Sequence, residues 1–256
     1  MRIVTWNVNS IRTRLPRLLG VLERHRPDVI CLQELKVVEE GFPTLDVKQA
    51  GYHSTIVGQK TYNGVAILSR ERADNVSTSM ADGTDDPQAR FVAADVAGVR
   101  VLSVYVPNGG SVGSDKWDYK LDWLARLRSY LDVQSDPAKP LAVCGDFNIA
   151  PDDQDVNNPE RWKDSVLCHP DGRAAFQKLI EWGLVDAFRA HHPDGGIFSW
   201  WDYRMLGFPK NDGLRIDGLL VTQPLAEHIR DAFVDRDERK GKQPSDHAPV
   251  VVDFTI

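Results

Sequence analysis

The sequence predicts an α/β fold of two packed sheets flanked by helices, built as one domain over residues 1–256. Three observations point there. Short apolar runs of strand length alternate with stretches of helical periodicity along the chain. A chain of 256 residues suits one large core. Its folded surface should be about 11,000 Å² against about 42,000 Å² when open, so about three-quarters is buried. A composition of 42% hydrophobic and 27% charged residues excludes a disordered or collagenous chain.

The first forty residues read as strand, helix, strand. Ile3, Val4 and Trp6 form a short β run that ends in Asn7-Val8-Asn9-Ser10. Leu15, Leu18, Leu19 and Leu22 recur at helical spacing, with Pro16 suited to that helix's first turn and Pro27-Asp28 ending it. Val29-Ile30-Cys31-Leu32 is a continuous apolar run, expected as a buried strand that stops at Gln33-Glu34. Gly64 to Leu68 and Val99 to Val106 read as further strands, the second closed by Pro107-Asn108-Gly109-Gly110. A second half repeats the plan. Trp117 to Leu131 is an amphipathic helix, Gln134 to Pro140 a linker, and Leu141-Ala142-Val143-Cys144 a buried strand ending at Gly145-Asp146-Phe147-Asn148. Ala174 to Trp182 is a helix stopped by Gly183, and Leu214 to Val221 and Val250 to Phe254 are the last strands. Arg236, Arg239, Lys240 and Lys242 make the one dense basic run.

Charge narrows the partners. Thirty-one Lys and Arg against 37 Asp and Glu give a net −6, which excludes whole-surface attraction to nucleic acid or anionic lipid but leaves room for a local basic stripe. The three cysteines, Cys31, Cys144 and Cys168, have no CxxC spacing and read as buried thiols of a reducing compartment. No segment reaches the twenty or so apolar residues that spanning requires. With no apolar signal region behind the N-terminus, the cytoplasm is the expected location and no membrane partner is expected.

The informative pattern is positional. Asn7, Glu34, Asp146 and Asn148 each fall just past the apolar part of an expected strand; Asp217 follows Arg215-Ile216 within another, and Asp246-His247 precedes the last. Strand ends on one rim of a sheet converge in space, so these acids and amides can share one site. Hard oxygen ligands with one histidine and no paired soft ligands suit Mg²⁺ or Mn²⁺, not zinc. Taken singly, Asn7-Val8-Asn9 reads equally as turn residues, Glu34 as a solvated carboxylate and Tyr105 as a half-buried strand tyrosine.

Joint order changes this. Trp6-Asn7-x-Asn9, Leu32-Gln33-Glu34, Tyr105-Val106-Pro107-Asn108-Gly109, Gly145-Asp146-Phe147-Asn148, Arg215-Ile216-Asp217 and Ser245-Asp246-His247-Ala248-Pro249 follow one another along the chain. Phe198-Ser199-Trp200-Trp201-Asp202-Tyr203-Arg204 falls between them. In this order the motifs resemble the exonuclease III family of bacterial DNA-repair nucleases, part of the wider endonuclease/exonuclease/phosphatase superfamily. The resemblance runs from Arg2 to Phe254.

It implies a DNase I-like four-layer α-β-β-α sandwich of two packed mixed sheets, with the site at one end. It implies an enzyme that cuts the phosphodiester 5′ to an abasic site to leave a 3′-OH, removes 3′ blocking groups, and acts as a 3′→5′ exonuclease on duplex DNA; a monomer is the default expectation. Carried over by position, Glu34 is the main metal ligand with Asn7, Asp146, Asn148 and Asp246 around it. Asp146 would deprotonate the attacking water, Asn148 would fix that water or a phosphate oxygen, and His247, held by Asp217, would contact the scissile phosphate or move a proton. Tyr105 would hydrogen-bond the phosphate or protonate the leaving group. Which of Asp146, His247 and Tyr105 moves the proton stays open. Arg90 and Asn108 match positions that grip phosphates; Trp200, Leu214 and Ile216 match an apolar pocket for a flipped-out sugar lacking its base. There are departures: Ala89 stands where many relatives carry a second arginine, Leu35 where threonine is common, and bulky Leu167 beside the sugar pocket would favour end trimming over internal incision.

Two other readings compete. A phosphoesterase acting on a lipid or inositol phosphate would share the Asn, Glu, Asp-x-Asn and Asp-His elements. It would not be expected to carry Phe198–Arg204 or Tyr105–Asn108, and this chain has no apolar membrane-facing loop. A non-catalytic DNA-binding scaffold would be signalled by a lost metal ligand or a lost His247, and none is lost.

Overall fold

Side-chain alternation decides the layering. In β1 (Arg2–Asn7) Ile3 faces the core between the sheets, while Val4 and Trp6 face outward; in β2 (Val29–Gln33) Val29 and Cys31 face in, Ile30 and Leu32 out. The computed structural model describes residues 1–256 and holds twelve strands in two six-stranded sheets. One sheet runs β11-β12-β1-β2-β4-β3 and the other β5-β6-β7-β8-β10-β9. The remaining strands are β3 (His53–Val57), β4 (Val65–Ser69), β5 (Asp74–Ser77), β6 (Phe91–Val96), β7 (Val99–Tyr105), β8 (Leu141–Asp146), β9 (Leu184–Asp186), β10 (Asp217–Thr222), β11 (Ile229–Val234) and β12 (Val250–Phe254).

The two sheets have the same plan. Each holds one parallel pair, β1 with β2 and β7 with β8, and every other pairing is antiparallel. A parallel pair needs a crossover, supplied by α1 (Ile11–His25) and by the long helix Asp115–Gln134. The first packs outside its sheet, where Ile11, Leu18, Val21 and Leu22 meet Val4, Trp6, Ile30 and Leu32. The long helix and Pro170–Glu181 cover the other sheet through Trp123, Leu124, Leu127 and Phe176. The result is the expected four-layer sandwich, with 11,348 Å² of exposed surface. No helix is long and apolar enough to cross a membrane.

Several expectations change. Pro16 lies inside α1, whose first residue is Ile11 and not Leu15; the missing amide leaves one turn without its hydrogen bond. β8 continues through Asp146, so the chain leaves the sheet after that residue, not at Gly145. Gly145 is paired on both sides of the strand, and only glycine fits there because a Cβ would sit 2.0 Å from the Val104 carbonyl oxygen. The strand expected from Leu214 begins at Asp217; Leu214 makes only isolated bridges to Val156 and Trp200. The helix expected from Ala174 opens at Pro170, with His169 as its cap. β3, β5, β6, β9 and β11 were not expected: β5 is a largely exposed edge strand, β11 a partly exposed one interrupted by Arg230 and Asp231, and β9 has three residues. The dense basic run is only partly free, with Lys240 and Lys242 exposed. Arg239 is buried, and Arg236 and Arg239 stack over Trp201 and Phe208.

Between the sheets the core changes character along the strands. It is apolar at Ile3, Val29, Cys31, Val101 and Ala142. Next comes a hydrogen-bonded layer in which Gln33 Nε2 donates to Thr5 Oγ1 at 3.1 Å and Ser103 Oγ at 3.3 Å. Beyond it, on the same inward face, stand Asn7, Tyr105, Asp146 and Asp217.

Candidate active site

Strand register brings the site together. Asn7 pairs with Gln33, which places Glu34 one residue beyond; Asp146 pairs with both Tyr105 and Asp217. Asn7, fully buried, donates from Nδ2 to Glu34 Oε1 at 2.8 Å and to Asp146 Oδ2 at 2.9 Å, tying the two sheets together at this end. Glu34 and Asn148 both adopt positive φ, 52° and 50°, as the chain turns sharply off the sheets. Ligand atoms of Glu34, Asp146 and His247 lie within 4.8 Å of one another.

His247 is 4% exposed, with Nδ1 2.9 Å from Asp217 Oδ2 and Nε2 3.7 Å from Asp146 Oδ2. Asp217 also accepts from Ser199 Oγ at 2.6 Å, and Ser199 Oγ accepts the Ile216 and Asp217 amides. Burial pulls the imidazole pKa down, but the carboxylates of Asp217, Asp146 and Asp246 outweigh it and push it to about 10. Asp146 moves up from the ordinary carboxylate range because of burial, against the pull of His247. Tyr105 is raised well above the ordinary phenol by burial and by Glu34 and Asp146, so it holds its proton at neutral pH.

The expected ligand set divides. Glu34 and Asp146 converge. Asn7 presents its NH₂ to them, while its Oδ1 accepts the Asn9 amide at 3.0 Å, so it serves as their bridge. Both oxygens of Asp246 are engaged, Oδ1 by Asn9 Nδ2 at 2.8 Å and Oδ2 by Trp200 Nε1 at 3.0 Å. Burial would raise the Asp246 pKa, but His247 and these two donors hold it below the usual range. Asn148 accepts from Asn108 Nδ2 at 3.0 Å and donates to the Val106 carbonyl at 3.0 Å. Two convergent carboxylates offering hard oxygen atoms fit a hard divalent cation.

The expected DNA contacts also divide. Arg90 lies over the Tyr105 ring at 4.6 Å, and with Asn108 it lines an open cleft of about 490 Å³ next to the carboxylates. Leu214 and Ile216 are buried in a cluster with Leu167 and Trp117, on which half-buried Trp200 packs, so Trp200 is the exposed part of this expected apolar contact. Leu167 is 6% exposed. Leu35 packs in the outer core against Gly64, where a Cβ would lie 2.9 Å from Leu35 Cβ.

Three features escaped the sequence reading. Lys36 Nζ sits 2.9 Å from Glu34 Oε2 and donates to Asn9 Oδ1 at 2.5 Å, adding a positive charge at the rim; its place two residues after Glu34 was the available signal. Arg215 is buried between Asp155 (2.6 Å) and Asp186 (2.8 Å) and anchors the approach to Asp217. Lys120, fully buried in the long helix, reaches the backbone beneath Asn148 at 2.7 Å; burial lowers its pKa to about 7. A charged residue on the buried face of a helix gives little sequence signal.

The chain matches the Endonuclease/Exonuclease/phosphatase family over residues 4–247. It is 37% identical over 266 residues to exodeoxyribonuclease III of Haemophilus influenzae, covering 99% of this chain and 100% of that protein. It superposes on an AP endonuclease from Archaeoglobus fulgidus with a TM-score of 0.97 and 40% identity, each chain fully covered. The 3′ phosphatase NExo from Neisseria, solved with a product DNA hairpin, gives 0.96 and 42%, again over both full chains.

Proposed function

The chain belongs to the endonuclease/exonuclease/phosphatase family, and from that membership we propose a metal-dependent DNA-repair phosphodiesterase that cleaves 5′ to abasic sites, trims 3′ ends and removes 3′ blocking groups. The observation that carries this reading is the convergence of Glu34, Asp146 and His247 at the end of the inter-sheet core, bridged by Asn7. On this reading residues 1–256 act as one domain, as a monomer in the cytoplasm, on double-stranded DNA.

Glu34 and Asp146 would hold Mg²⁺, with Mn²⁺ as a substitute; when bound, the ion supplies charge neutralisation at a phosphate oxygen. The chain's own groups do the rest. Asp146, a buried carboxylate of raised pKa, accepts the proton of the attacking water. Asn148, held by Asn108 and Val106, orients that water or a phosphate oxygen. His247, kept cationic by Asp217, stabilises charge on the phosphate. Tyr105, protonated at neutral pH, donates to the phosphate or the leaving oxygen. Arg90 and Asn108 grip the strand, and Trp200 forms the apolar floor over Leu214 and Ile216. Net charge −6 leaves attraction to these local groups, so binding weakens with salt.

Glu34→Gln keeps the side chain's shape at a position of positive φ and is expected to fold normally. Turnover on a recessed 3′ end should fall by about 10²-fold or more, extra Mg²⁺ should restore part of it, and the rise in Tm that Mg²⁺ gives the wild type should be lost. Near-normal turnover at ordinary Mg²⁺ would remove Glu34 from the ligand set.

Leu167 favours terminal work. Because it fills the space against Leu214 and Ile216, the wild type should trim a recessed 3′ end faster than it incises a central abasic site. Leu167→Ala should narrow that gap several-fold. Comparable wild-type rates on the two substrates would contradict this.

A further inference from the structure

Lys120 has no carboxylate partner in contact, yet it is fully buried. Its ammonium donates to three backbone carbonyls: Asn148 at 2.7 Å, Val166 at 2.7 Å and Asn108 at 3.2 Å. An ammonium has three N–H bonds, so its donor capacity is used up. The acceptors come from three separate segments: the turn after β7, the turn after β8, and the stretch that carries Leu167. Burying a charge against neutral carbonyls costs desolvation free energy, and an apolar residue would satisfy the helix's packing more cheaply. What the lysine supplies is geometry. Gly109, at φ +96°, lets the first turn approach, since a Cβ there would stand 3.0 Å from Lys120 Cδ. The clamped turns are joined again above it, where Asn108 Nδ2 donates to Asn148 Oδ1 at 3.0 Å, and the Asn148 backbone N–H donates to Asp146 Oδ1 at 2.9 Å.

We propose that Lys120 is a positioning residue for the reaction, a three-carbonyl clamp that fixes the turn carrying Asn148, and with it the direction of the Asn148 side-chain amide, and reaches no substrate itself. The inference rests on the reading of Asn148 as the group that orients the water or a phosphate oxygen. Loss of the clamp should leave the phosphate grip of Arg90 and the metal carboxylates in place, and so should lower the rate of the chemical step more than substrate binding.

The test is a double-mutant cycle of Lys120→Met and Asn148→Ala, with single-turnover rates and KM measured on a recessed-3′-end duplex in Mg²⁺. Lys120→Met alone should lower the rate by about tenfold or more with KM within about threefold, and in the Asn148→Ala background it should cost less than about threefold. A rate within about twofold of wild type, or an equal loss in both backgrounds, would overturn the proposal, because a merely structural lysine gives additive losses. The Asn148→Ala arm separates the two claims: full activity there sinks the reading of Asn148, whereas low activity there beside an active Lys120→Met sinks only the clamp. If Lys120→Met does not fold, Lys120→Gln, which keeps an N–H donor, goes through the same cycle; a coupled loss supports the clamp and an additive or absent one overturns it.

Discussion

Asp146→Asn should reduce turnover by about 10³-fold while leaving the fold nearly as stable as before. The side chain is buried at the junction of β8, β7 and β10, and its acceptors meet the Asn7 NH₂, the Asn148 amide and, at 3.7 Å, His247 Nε2. An asparagine of the same shape keeps one acceptor but cannot take a proton from water. It also gives up one anionic ligand. Burial raises the Asp146 pKa, so the folded state disfavours its charge, and a neutral isostere removes that penalty while losing one hydrogen bond. The two effects oppose, and Tm should move by only a few degrees. In the wild type, activity that needs the carboxylate should fall as pH drops through the raised pKa. A variant that turns over at a rate close to wild type would exclude Asp146 as base and as ligand.

Asp217→Asn should impair catalysis by about 10²- to 10⁴-fold with much weaker effects on DNA binding. Asp217 receives the His247 Nδ1 proton at 2.9 Å and is itself fixed by Ser199 Oγ at 2.6 Å. In the variant, Ser199 can still donate to the oxygen at the Oδ2 position, which puts the new NH₂ at the Oδ1 position, 3.0 Å from Nδ1. Without the carboxylate the ring is no longer held as the cation that faces the phosphate, and when neutral it carries its proton on Nε2 with Nδ1 turned to the new NH₂. Its pKa also falls. In the wild type the carboxylates hold His247 at about 10, above the ordinary 6.5, so imidazolium-dependent activity survives until pH rises through about 10. In Asp217→Asn the alkaline limb moves to lower pH. The same sign applies to stability: the ion pair contributes fully below about 6.5 and is lost as pH rises through about 10, so the wild type should lose Tm across that window and the variant less. The measurements are pH–rate profiles and histidine NMR titration of both proteins. Identical His247 titrations would mean that the two side chains are not partners.

The two sheets and their outer helices were legible because the strands that build them, β1, β2, β4, β7, β8, β10 and β12, are buried and strongly apolar. The edges were not: β5 and β11 pair on one side only and leave polar residues in solvent, so neither alternation nor apolar runs mark them, and interior β6 was missed too, its short run holding two alanines and Asp95. Site positions were legible for a related reason. The parity that turns Ile3 inward does the same for Asn7, and the parity of Ala142 and Cys144 does the same for Asp146. Partnership was not. The closeness of Asp217 and His247, of Lys36 and Glu34, and of Lys120 and the Asn148 carbonyl depends on sheet packing and turn geometry, which spacing along a chain does not encode. The place of Leu167 beside Leu214 and Ile216 came from the family resemblance and agrees with the cluster in the structure.

The central claim is that this site hydrolyses DNA phosphodiesters with a divalent cation. End-labelled duplexes, with and without a central abasic site, incubated with Mg²⁺ or with EDTA, test it most directly. The account predicts stepwise trimming of recessed 3′ ends and incision 5′ to the abasic site that leaves a 3′-OH, both in Mg²⁺ and neither in EDTA. Intact duplexes in Mg²⁺, or cleavage that persists in EDTA, would contradict it.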